Sequence, residues 1–270
     1  MDFPRSTQND DGMKNPLSAV LAAIVLASAC VAPSLASPQA CTNLVLTGHP
    51  TYAPFAWAAG GTLRGAGIDV VRRLAKDAGV SIEVVNEGSW DAAQSAGKSG
   101  KADAIGGLYM THARLPFFSY VQPAIAPDPS AVVVRAGDPF AYKNWNSLIG
   151  KKGAASKGES YGHAFDAFVH DRLTLAQVDG FKGVYAALLE KRADYGLVGY
   201  YAAITDAPKT VRIAESNFVT EGLYLAFGKS SPCAARLTPV FAKDIARLAA
   251  DGTVKRMLAA SLAEYTASKH

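Results

Sequence analysis

From residue 44 onward the chain alternates short β-branched runs with longer amphipathic ones, and few folds satisfy that rhythm. "LVLTG" (44–48) reads as a strand, and "GIDVVRRLAKDAG" (67–79) puts Ile68, Val71, Leu74 and Ala75 on one helical face with Gly79 as a stop. "SIEVVN" (81–86) is a strand by its β-branched content, "WDAAQSAGKSG" (90–100) a helix ended by glycine, and "ADAIGGL" (102–108) a strand. Strands separated by helices pair in parallel through right-handed crossovers, which predicts an α/β fold. "DPSAVVVRAGDP" (128–139) breaks the rhythm as a β-rich stretch between prolines, a domain crossing. A second series follows: "NWNSLIG" (144–150) as a short helix, "KKGAAS" (151–156) as a strand, "SYGHAFDAFVHD" (160–171) and "FKGVYAALLEKRA" (181–193) as helices, and "DYGLVGY" (194–200) as a strand. "EGLYLAFGK" (221–229) reads as the return crossing, and the tail from Ala234 is helical with a break near "ADGT" (250–253). The organisation expected is lobe 1 over 41–133 plus 227–270 and lobe 2 over 134–226, with two hinge crossings and a ligand cleft between the lobes.

The first forty residues read as processing. "MDFPRSTQNDDG" is a polar extension; Lys14 then precedes an apolar run from Leu17 to Ala32, and "SLA" (34–36) and "PQA" (38–40) each offer a small-residue cleavage site. That is the pattern of a secretory signal peptide, and the run falls short of the ~20 residues of a membrane span. "LASAC" (26–30) resembles a lipoprotein box with Ala27 where a larger aliphatic is usual, so a lipid anchor ranks second. Loss of the leader removes Cys30 and leaves Cys41 and Cys233; an even count in an exported chain points to one disulfide, with two buried thiols as the alternative. No later segment is apolar enough to span a membrane, which predicts a soluble mature protein. At 270 residues and 49% hydrophobic the chain can bury a real core, and a net charge of +4 without a Lys/Arg stripe argues against nucleic acid as a partner.

Several catalytic patterns fail. "GAGIDV" (65–70) has Val70 where a dinucleotide fingerprint needs its third glycine, and "GKS" (97–99) has Ala92 in place of the phosphate-loop glycine. No HExxH or GxSxG occurs. His49, His112, His163, His170 and His270 show no metal-ligand spacing, so surface or satisfied histidines are the default and neither a metal nor a cofactor is expected. What remains lies at strand-to-helix edges. "HPTYAPFAW" (49–57) crowds Tyr52, Phe55 and Trp57 into a loop; Trp90, Tyr109 and Arg114 stand in matching places. Successive strand ends of a parallel sheet face one cleft. Phe55 and Trp57 are assigned to core packing, Tyr52 and Trp90 to the cleft. Arg114 follows the buried run 105–110 and offers a two-pronged donor shaped for a carboxylate.

These residues resemble a family: the periplasmic solute-binding proteins of polar amino-acid ABC importers, with the two-lobe type II periplasmic-binding fold. "YAPFAW" is similar to the family's opening aromatic-Pro-Phe loop and "GTLRGAGIDVVRRLAKDAGVSIEVV" to its Gly-rich turn, helix and strand. "SWDAAQSAGKSGKADAIGG", "MTHAR" and "ADGTVKRML" resemble the helix leading to a Gly-Lys-x-Asp strand, the Thr-x-x-Arg element and the closing helix.

The resemblance implies that Arg114 clamps a ligand carboxylate, that Tyr52 and Trp90 pack on the ligand, and that "KGES" (157–160) donates hydrogen bonds through Ser160 and Gly158. Gly107, Tyr109, Glu159, His49 and Gly199 complete the expected ligand-binding set, with no catalytic residue. Gly199 stands where many members carry an acid for the ligand ammonium, His49 stands near the place of another acid, and Tyr109 replaces a small hydroxyl residue. Either the ligand lacks a free ammonium or another acid substitutes, with Glu159 the candidate and a solvated loop residue its plainer reading. The function implied is a monomeric, non-enzymatic periplasmic binding protein that captures a small carboxylate-bearing solute and delivers it to a membrane permease. The alternative is an exported enzyme similar to cyclohexadienyl dehydratase, with Glu159 as general acid.

Overall fold

The computed structural model describes residues 41–269, so the expected leader and its cleavage site lie outside the described residues. The first strand, β1 (Asn43–Thr47), leads into a small antiparallel sheet of β2 (Thr51–Tyr52), β3 (Ala56–Ala59) and β4 (Thr62–Arg64). Then come α1 (Ala66–Asp77), β5 (Ser81–Val84), α2 (Trp90–Ser99), β6 (Ala104–Tyr109), β7 (Phe118–Tyr120) and the long β8 (Ala126–Arg135). A 3-10 turn at Trp145–Leu148 precedes β9 (Lys152–Ser156), α3 (His163–Arg172), β10 (Thr174–Val178), α4 (Gly180–Leu189), β11 (Tyr195–Gly199) and α5 (Tyr200–Asp206). β12 (Val211–Gly228), α6 (Ala234–Ala250) and α7 (Thr253–Ala267) close the chain.

The expected α/β class is what forms. The main sheet runs β10-β9-β11-β8-β12-β6-β1-β5, with β7 paired to β12. Strands β6, β1 and β5 are parallel at one end, β11, β9 and β10 parallel at the other. Between them β8 and β12 pair antiparallel along most of β8, from Ala126↔Leu223 to Arg135↔Val211. The stretch 128–135 pairs with Val211–Glu221, most of which was not anticipated as a strand; of the expected return crossing only Glu221–Leu223 pairs with β8, and the rest runs along β6 and β7. Strand β10, helix α5 and the β2–β4 sheet were not anticipated; β10 shows no fully buried residue and pairs only with β9, so its sequence carries no core signature.

The helices pack as their patterns require. Ile68, Val71 and Leu74 of α1 are fully buried against the parallel strands. Gly67 permits that approach: a Cβ there would lie 2.4 Å from the carbonyl oxygen of Gly106 on β6. A second apolar cluster, with Val132, Ala155, Phe165 and Leu197, fills the other end. Cys41 and Cys233 form a disulfide that ties the chain before β1 to the start of α6. Among the described residues no helix is long and apolar enough to cross a membrane.

Candidate functional site

The carboxyl ends of the parallel strands meet. His49 follows β1, Trp90 opens α2 after β5, and Tyr109 ends β6 with Arg114 in the turn beyond. From the other series Glu159 and Ser160 follow β9, Phe181 opens α4 after β10, and Gly199 ends β11. All line one cavity together with Tyr52 and Gly107, so every expected ligand-binding residue borders it except Gly158, whose carbonyl braces Arg114 from behind. The free space is about 30 Å³, room for roughly two waters.

Arg114 is placed by its own turn. The amides of Arg114 and Leu115 both donate to the carbonyl of Thr111, which closes a tight bend directly after β6. The guanidinium donates from Nε to Gln94 Oε1 at 3.2 Å, from Nη1 to the Tyr109 carbonyl at 3.4 Å, and from Nη2 to the Gly158 carbonyl at 2.9 Å. It also sits 5.8 Å from the centre of the Trp90 ring. Only 6% of Arg114 is exposed, and all three acceptors are neutral. Among the described residues no carboxylate forms an ion pair with it. Burial lowers its pKa, with the negative field of Glu159 acting the other way. A buried cation without a counter-charge is costly, and an incoming carboxylate relieves that cost. A second donor waits nearby: the indole N–H of Trp90 is buried with no partner among the described residues.

Glu159 is not a solvated loop residue. Its side chain is 16% exposed and accepts from Nε2 of His49 at 2.9 Å. The amide of Thr51 donates to His49 Nδ1 at 3.1 Å, which fixes Nε2 as the proton-bearing nitrogen. His49 is a satisfied histidine: both ring nitrogens are partnered, and its ring stacks on Trp90, at 4.9 Å, and on Phe181, at 5.7 Å. The hydroxyl of Ser160 donates to Asp166 in the first turn of α3, and the amide of Tyr161 donates to the same carboxylate at 2.8 Å. Its proton is thus committed within the loop, and Ser160 faces the cavity as an acceptor.

Of the floor beneath the cavity, Tyr52, Tyr109 and Gly199 were expected from the sequence and Asp128 was not. Asp128 on β8 is 0% exposed and accepts from the hydroxyl of Tyr52 at 2.6 Å and from that of Tyr109 at 2.8 Å. Burial pushes its pKa up to about 7 against the lowering effect of both phenols. The phenols are themselves raised well above their ordinary value, chiefly by burial and then by the field of Asp128. Gly199 completes this floor: a Cβ there would stand 2.3 Å from the Tyr52 hydroxyl, so the phenol occupies the space of any larger residue. Phe181, Gln94 and Tyr161 were also missed; Phe181 and Tyr161 line the cavity and Gln94 holds Arg114. Phe55 and Trp57 pack against Tyr201 and Tyr265 away from the cavity, as core residues.

The chain matches the model of the bacterial extracellular solute-binding proteins, family 3, over residues 44–262. No curated protein matches it. Solved structures do: an amino acid ABC transporter substrate-binding protein, AbpA, from Streptococcus pneumoniae bound to L-arginine has 21% identity and a TM-score of 0.69, covering 83% of this chain and 96% of its own. Holo ArgBP from T. maritima has 20% identity and a TM-score of 0.64, covering 77% and 90%. The ancestral amino-acid-binding protein AncCDT-1, a precursor of cyclohexadienyl dehydratase, has 20% identity and a TM-score of 0.66, covering 82% and 95%. These likenesses establish the type II periplasmic-binding fold. With most of its described length matched by the family model, the chain belongs to the bacterial extracellular solute-binding proteins of family 3.

Proposed function

We propose that the protein captures a small carboxylate-bearing solute, an amino acid or a derivative, between the loops that follow β1, β5 and β6 and those that follow β9, β10 and β11. The observation that carries this reading is Arg114: a buried guanidinium braced by three neutral acceptors and, among the described residues, paired with no acid. The buried fork, the Trp90 N–H with no partner among the described residues, and the stacked His49–Trp90–Phe181 wall suit a ligand with a carboxylate head and an enclosed body. Neighbours on this fold bind arginine, and that favours an amino-acid-like ligand here too.

Residues 41–133 with 227–270 form one lobe and 134–226 the other, and the β8–β12 ribbon carries the hinge. Ligand binding favours the closed arrangement, and closure presents a joint surface to an ABC permease. The leader within residues 1–40 directs the chain to the periplasm, where it acts as a monomer without a cofactor. A second reading is a dehydratase-like enzyme, for which Glu159, an acid held inside the cavity by His49, is the general acid.

A thermal-shift screen against L-amino acids, opines and simple carboxylates tests the binding reading, because a ligand of the native state raises the midpoint by mass action. Turnover of prephenate or arogenate, followed by absorbance, tests the enzyme. A midpoint shift without turnover supports capture; turnover abolished by Glu159→Gln supports the enzyme instead.

A further inference from the structure

The cavity is flanked by two uncompensated charges of opposite sign. Arg114 has been described. Its counterpart is Asp128, fully buried on the central ribbon, whose side-chain partners among the described residues are hydroxyls. Asp128 does not itself border the cavity; Tyr52 and Tyr109 do. Each phenol spends its proton on Asp128, so the oxygen that remains for the cavity can only accept. Acceptors backed by a carboxylate repel an anion and match a donor cation. Tyr109 links the two charges directly, since its carbonyl accepts from Arg114 and its hydroxyl donates to Asp128.

Resting on the amino-acid reading above, we infer that Asp128, working through the hydroxyls of Tyr52 and Tyr109, is the acid that holds the ligand's ammonium group. Glu159 is the lesser choice because it already accepts from His49 and lies in the field of Arg114. Gly199 is part of the device: any side chain there would drive the Tyr52 hydroxyl off Asp128. The selected ligand is therefore a zwitterion, with its carboxylate on Arg114 and its ammonium on the phenol pair.

The groups that act on Asp128 are Tyr52 from β2, Tyr109 from β6, Tyr201 from α5, Glu159 after β9, and Glu221, its register partner on β12. None is a cation. An arriving ammonium then adds a positive charge at the hydroxyl end of the network, and it favours ionised Asp128. Binding near neutral pH consequently expels protons from the site.

The test is titration calorimetry of purified protein with a panel of proteinogenic L-amino acids, each beside its α-keto acid, in two buffers of different ionisation enthalpy. Wild type is expected to bind one or more amino acids, to prefer them over the keto acids, and to release protons on binding. Asp128→Asn is expected to weaken amino-acid binding by about tenfold or more, to narrow the preference over keto acids, and to abolish proton release. If D128N fails to fold by circular dichroism, Tyr52→Phe carries the test and is expected to weaken amino acids but not keto acids. Equal binding and equal proton release in wild type and D128N overturn the inference, as does wild-type indifference between the two probe classes. If Arg114→Ala loses binding while D128N and Y52F keep it, the carboxylate reading stands and this one falls. Undiminished binding by R114A, or no amino acid bound by wild type, overturns the reading on which it rests.

Discussion

Arg114 donates from Nη2 to the carbonyl of Gly158 at 2.9 Å, so the cation that follows β6 is held by the loop that follows β9. The bond crosses from one parallel series to the other. It gives the closed cavity a latch that a ligand carboxylate can take over, because a carboxylate accepts more strongly than a peptide carbonyl.

Arg114 is tuned for its ligand at the expense of the empty protein. A buried guanidinium facing only neutral acceptors costs more in desolvation than those bonds return. Arg114→Met is expected to leave the ligand-free melting temperature unchanged or higher while binding is lost. A midpoint lowered by many degrees would make Arg114 a structural residue instead.

Gly199 and Tyr52 compete for one volume. Gly199 has an ordinary φ of −61°, so a substitution there tests space and not backbone strain. Gly199→Ala is expected to cost about 1–3 kcal/mol as overpacking and to weaken ligand binding. The double variant Gly199→Ala/Tyr52→Ala should be less destabilised than the sum of its single variants in denaturant melts. Strict additivity would show that the two positions do not compete.

Much of this was legible in the sequence, for identifiable reasons. The alternation of strand and helix patterns fixed the α/β class, and the Thr111-to-Arg114 spacing fixed a turn at a strand end. Asp128 stayed hidden because it opens a stretch read only as a β-rich crossing; the pairing of β8 with β12 is what buries it. Phe181 looked like one more apolar position on a helix face, and the strand before it, β10, has too little burial to announce itself. Ser160 was readable as a cavity residue, but not the capture of its hydroxyl by Asp166.

Asp128 makes stability depend on pH with a definite sign. Its carboxyl titrates near 4 in the unfolded chain and at about 7 in the fold. Between those values the native state keeps a proton that the unfolded state has lost, so raising the pH favours unfolding. The ligand-free unfolding free energy of wild type is expected to fall relative to that of Asp128→Asn across about pH 4 to 7, by an amount on the order of a few kcal/mol, and to run parallel above it. Parallel profiles throughout would mean that Asp128 ionises freely.

The Cys41–Cys233 bridge closes a loop with a sequence separation of 192 residues. Paired Cys41→Ser and Cys233→Ser substitutions are expected to cost roughly 2–5 kcal/mol, read as a lowered denaturation midpoint. The variant should still bind, because the bridge lies outside the cavity. Loss of binding with an unchanged midpoint would contradict this placement.

The carboxylate clamp at Arg114 is tested by one comparison: calorimetric titration of an L-amino-acid panel into wild type and Arg114→Ala under identical conditions. It predicts that an amino acid binds wild type and that R114A loses about a hundredfold or more of that affinity with its circular dichroism unchanged. Equal affinity in the two proteins would contradict it.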